Sequence, residues 1–144
     1  MSSASTISTP VLTPQDAIAS HVRWKIALQL AAQMREPLSE RATRTIEHPE
    51  ECNIHKWLLS ENTRSLRNTR EYVAVLEHHT AFHGQMLKIE NLLRAGDFDQ
   101  AERLLTQPSP FQEVANALAN AIMALGGSSR PASPPQKKSA PQTP

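Results

Sequence analysis

His79 and His83 stand four residues apart. On a helix that spacing puts both imidazoles on one face, one turn apart and about 6 Å along the axis. A helix offers two nitrogens to one cation in this way. His21 can supply a third nitrogen, and Cys52, the chain's single cysteine, can supply a thiolate. Three neutral imidazoles and one thiolate form a tetrahedral donor set suited to zinc. Each residue also has a plainer role. A histidine among apolar residues is commonly a core histidine with its hydrogen bonds satisfied, and a lone cysteine commonly fills space as a small hydrophobe. His55 competes for the metal role, because Cys52-x-x-His55 also has ligand spacing.

The elements that must position these groups are helical. Thr13-Pro14-Gln15-Asp16 reads as an N-cap, a proline at the first helical position and an acid in the first turn. The pattern predicts a helix to about Arg35, with Ala17, His21, Trp24, Leu28 and Ala31 on its inner stripe. A polar connection over 36–51 holds a short helical turn around Ser39 to Thr45. Cys52 to Ser60 reads as a short helix with Ile54, Trp57 and Leu58 inward. A long helix is predicted from about Asn62 to Arg94, its stripe running through Leu66, Thr69, Tyr72 with Val73, Leu76, His79, His83, Met86 with Leu87, and Leu93. Ala95-Gly96-Asp97 stops it and caps a helix to Gln107, and Ser109-Pro110 opens a last one with Phe111, Val114, Leu118, Ile122 and Leu125 on one face. The expectation is an all-α bundle of four to five helices over 13–125 with zinc held between them. Residues 1–12 and the Pro/Ser-rich 126–144 read as disordered tails, too poor in large apolar groups to offset their ordering entropy. Three histidines thus fall on core stripes. Burying imidazoles without partners costs roughly 1–3 kcal/mol each, a penalty one shared cation removes.

In 144 residues the formal net charge is +1, with acids and bases intermixed. That favours neither a nucleic-acid surface nor a membrane surface. No stretch approaches the roughly 18 consecutive apolar residues of a spanning helix, and Met1 to Val11 lacks the pattern of a secretory signal. A cytoplasmic protein is predicted. One cysteine rules out an intramolecular disulfide framework.

Three linked motifs carry a family resemblance: His21-Val22-Arg23-Trp24-Lys25, then Cys52-Asn53-Ile54-His55-Lys56-Trp57-Leu58, then His79-Thr80-Ala81-Phe82-His83. Their order resembles the H-x-x-W-K, C-x-x-x-K-W-L and H-x-x-x-H of the chemoreceptor zinc-binding domain, a bacterial four- to five-helix bundle. The likeness covers about residues 14 to 125. It implies His21, Cys52, His79 and His83 as the zinc ligands, in agreement with the stripes, which turn His79 rather than His78 inward. Trp24, Lys25 and Trp57 fall on further motif positions, the tryptophans as packing anchors that keep water from the site. One departure is His55, where the family usually has glycine. Its side chain could face solvent, tune Cys52 or compete for the metal.

The resemblance implies cytoplasmic sensing of zinc or oxidants in chemotaxis or cyclic-di-GMP signalling, and a homodimer. The sequence shows neither a receptor coiled coil nor a cyclase domain, so the expectation is a stand-alone regulatory module acting on a partner in trans, with a structural zinc-stabilised adaptor as the alternative. Four protein ligands leave no position for a metal-bound water, and no phosphate loop or G-x-S-x-G elbow is present, so a non-enzyme is predicted. A di-iron carrier would need Glu-x-x-His pairs that the stripes lack.

Overall fold

A computed structural model describes residues 11–128. Among them are six α-helices, two short 3-10 turns and no strand. Helix α1 spans Pro14–Met34, α2 Glu40–Glu47, α3 Asn53–Leu58, α4 Arg70–Arg94, α5 Phe98–Thr106 and α6 Pro110–Ser128. The 3-10 turns, Pro49–Glu51 and Glu61–Leu66, flank α3. The chain is an all-α helical bundle, as its patterning predicts.

Local chemistry sets the boundaries. Thr13 Oγ1 accepts from the Asp16 amide at 3.1 Å and Pro14 opens α1. The helix ends at Arg35 in the left-handed region, φ 58°, two residues before Pro37. Ser39 caps α2 and Thr69 caps α4, each accepting an amide three residues on. At the end of α4, Gly96 adopts φ 82°, and the amides of Gly96 and Asp97 reach back to the carbonyls of Leu93 and Leu92. This paired closure is one that glycine permits at little steric cost.

The predicted helix from Asn62 to Arg94 is two elements. Over 60–69 the hydroxyls take carbonyls for themselves: Thr63 Oγ1 donates to Leu58 O at 2.8 Å, and Thr69 Oγ1 to Leu66 O at 2.6 Å. Such local bonds compete with continuation of the helix. The inner face of α4 also shifts. Val75 and Phe82 are fully buried while Val73 is exposed, because the helix turns Tyr72, Val75, His79, Phe82, Met86, Ile89 and Leu93 inward.

At both ends the described structure takes in residues predicted to lie in the tails. Val11 is buried, the Leu12 amide donates to Asp16 Oδ2 at 3.1 Å, and its carbonyl accepts from Asn62 Nδ2 at 3.0 Å. At the other end α6 continues through Gly126 and Gly127 to Ser128. A Cβ on Gly126 would stand 3.1 Å from the Pro14 Cβ, so the missing side chain lets α6 seat tightly on the start of α1. The rest of the two predicted tails, 1–10 and 129–144, lies outside the described residues.

The core is built on α4 laid along α6, with α1 packed on α5 and α6. Phe82, Phe111, Leu28, Met86, Leu118 and Ile122 are among its fully buried side chains. Helices α2 and α3 cross the side of α4 and bring Cys52 to it. A buried carboxylate fastens α2 in place. Glu90, 1% exposed, accepts from Thr43 Oγ1 at 3.1 Å and from Arg94 at 2.8 Å, and Arg94 also reaches Glu47 at 3.3 Å. Removing one partner of such a pair strands the other's charge. Arg94→Ala is expected to lower stability, though by less than breaking a fully buried pair, because Arg94 is itself half exposed. Adding Glu90→Gln should return part of that loss in urea denaturation. If the double variant is no more stable than the single one, the stranded charge is not the cause.

Candidate metal centre

Two elements bring the donors together. Helix α4 carries His79 and His83 on its buried face, 1% and 2% exposed. Their rings meet edge to face with centroids 4.6 Å apart. Cys52 is the N-cap of α3, where the chain turns from extended backbone into the helix. Its Sγ and one nitrogen of each histidine lie within 4.8 Å of one another, the one cluster of this kind among the described residues. Cys52, His79 and His83 could therefore hold a metal ion.

His21 stands beside this trio rather than in it. It is buried on α1, stacked on Phe82 at 4.7 Å between centroids, and close enough to His79 for its charge to act on that ring. The stripe reading is right in turning His21 inward. Phe82, on the same inner face of α4, stacks on the ring of His21, a contact that spacing alone does not reveal.

The hydrogen bonding fits a cation. His83 Nδ1 lies 3.2 Å from the Ile46 carbonyl, which can only accept. Nδ1 must carry the proton, so Nε2 holds a free lone pair. This is the outer contact that metal-bound histidines commonly make. His83 Nε2, His79 Nε2 and His21 Nδ1 are all buried without a hydrogen-bond partner. Each orphan of this kind costs about 1–3 kcal/mol, and a cation held by Cys52, His79 and His83 would satisfy the two on α4.

Electrostatics keeps these nitrogens unprotonated. Burial lowers the His79 pKa from 6.5 to about 3, helped by the charges of His83, His55 and His21. Burial and then Lys25 lower His21 to about 4. Burial also lowers His83, outweighing the Ile46 contact. At Cys52 burial pushes the thiol pKa up, while the nearby Ile54 and His55 amides, the Trp24 side chain and the charge of Lys56 pull it down. Those donors are placed to support a thiolate once a cation offsets its burial. Trp24 thus does more than exclude water. The N-cap position of Cys52 explains the two amide contacts, since the first amides of a helix lack partners within it. Trp57 is a buried anchor, 3% exposed. His55, on α3, is half-buried with its ring 6.3 Å from that of His79.

Fold and site together define an all-helical bundle with a candidate Cys/His/His metal centre between α3 and α4. Set against known protein families, curated proteins and solved structures, the chain matches none.

Proposed function

We propose that this chain is a zinc-binding regulatory module of the chemoreceptor zinc-binding type. The observation that carries the reading is the set of buried, unpartnered imidazole nitrogens gathered at a buried cysteine. In this reading His21 is the fourth ligand, held neutral and buried, with an unpartnered Nδ1 and its charge acting on His79. Mixed nitrogen and sulfur donors favour zinc over the oxygen-seeking magnesium and calcium. Four protein ligands leave the ion no substrate position, so the module regulates rather than catalyses.

The signal acts on Cys52. A zinc-bound thiolate remains open to oxidants. With hypochlorous acid the thiolate becomes sulfenic acid and chloride leaves, which removes one donor from the set. The output passes to a signalling partner through a homodimer. Val22, Ile26, Leu30 and Met34 form an outer stripe on α1, between 43% and 57% exposed and four residues apart. Such i, i+4 ridges pack against their own kind, and a second copy covers this stripe.

The test is metal content and sedimentation of the purified full chain before and after hypochlorous acid. One zinc per chain in a dimer is expected, with release on oxidation and a changed helical signal or oligomer. Cys52→Ser should bind zinc more weakly and ignore the oxidant. Zinc retained through oxidation, with Cys52→Ser merely unfolded, would leave the ion as a structural clamp and defeat the sensing role. A chain without zinc defeats the whole reading.

A further inference from the structure

The trio of donors is sealed: Cys52, His79 and His83 are each no more than 2% exposed. A cation must nevertheless reach them, and side chains at the rim decide how. His55 follows Cys52 by three residues on α3, so it lies about one turn further along the same side of that helix. It is half-buried, with its ring inclined 29° to that of His79 at 6.3 Å between centroids. Its charge bears on both His79 and His83, and that of Glu50 also bears on His83. Glu50, in the 3-10 turn before Cys52, is exposed and contacts His48 Nδ1 at 3.4 Å. Donors are thus graded from outside to inside: a solvated carboxylate, a half-buried imidazole, then two buried imidazoles and a thiol.

Building on the zinc-binding reading, we propose that His55 is a transient ligand at the mouth of the Cys52–His79–His83 centre, receiving zinc as it arrives and as it leaves. A hydrated dication sheds its waters stepwise, and each lost water needs a replacement donor. A closed four-ligand site opens most easily through a five-coordinate state, which zinc tolerates. A tethered imidazole at the rim supplies the extra donor at high effective concentration. His55, like His21, lies outside the group of donors that meet within 4.8 Å, but His21 is buried at 3% exposure while His55 is half-buried at the edge, so it is His55 that serves exchange rather than the resting site. No bond is made or broken beyond the exchange of metal ligands.

The experiment uses the full chain and zinc alone, with a chromogenic chelator as acceptor, in stopped flow. For His55→Ala, uptake and release should both slow by about tenfold, the lower range of losing a neighbouring donor at a metal site, while equilibrium affinity holds. Free imidazole at millimolar concentration should restore much of the rate in the variant and change the wild type little. Unchanged rates would overturn the proposal. So would affinity falling with the rates, which makes His55 a permanent ligand, or slow exchange that imidazole does not rescue, which makes its role structural. A wild-type chain that takes up no zinc refutes the metal reading itself. Normal zinc binding with unchanged exchange refutes the role of His55 alone.

Discussion

Stripping the metal from the chain should lower its thermal midpoint by on the order of 15 °C, and His79→Ala should show a similar loss without any chelator. A ligand that binds only the folded state, at about a thousand times its Kd, adds about 4 kcal/mol. For a domain of this size each kcal/mol moves the midpoint by a few degrees. The structure says where the energy goes. Without a cation, three buried nitrogens have nothing to bond to. In chelator, the variant and the wild type should lie within about 1 kcal/mol, because removing the ring trades lost packing for one fewer unsatisfied nitrogen. Calorimetry with and without chelator decides it. A wild type that melts identically in both conditions has no folding-linked ion.

Acid should unfold the chelated chain well above the usual carboxylate range. His21 and His79 have pKa values lowered from 6.5 to about 4 and about 3 when folded. Below pH 6.5 the unfolded chain takes up protons that the folded chain refuses. Stability is therefore full above 6.5 and declines until the pH reaches the folded values. Each ring contributes about 1.4 kcal/mol per pH unit inside that window, so the pair removes about 4 kcal/mol between pH 7 and pH 5. His83 adds in the same direction. Urea midpoints measured across that range give the slope directly. A flat profile from pH 7 to 5 would mean that the two rings are not held neutral inside the fold. A cation bound at the centre would oppose the loss near neutrality and would itself be displaced as protons compete for its ligands.

Much of this was visible in the residues, for identifiable reasons. Helices α1, α5 and α6 announce themselves because a capping side chain, a proline or a glycine stands at each boundary, and those signals act within three or four residues. The 60–69 segment defeated the same logic. Its threonines sit at spacings a helix tolerates, and only the carbonyls they bond show that they end it. The inward turn of His21, Cys52, His79 and His83 follows from periodicity and cysteine chemistry. The placement of Phe82 against His21, the Trp24 contact to Cys52 and the buried Glu90 do not, because each depends on which helix lies across from it. Glycine at position 126 reads as a stop signal locally, yet acts as a close-packing site once Pro14 is opposite.

The single contact between His83 Nδ1 and the Ile46 carbonyl would make α2 a listener to an ion held at the centre. Ile46 lies in the last turn of α2, whose carbonyls have no amide ahead of them. A cation drawing electrons from His83 sharpens that N–H as a donor and tightens the turn. By reciprocity, anything that pries the end of α2 loose would weaken cation binding at the centre by the same free energy. A protein that grasped α2 could thus empty the centre without ever touching it.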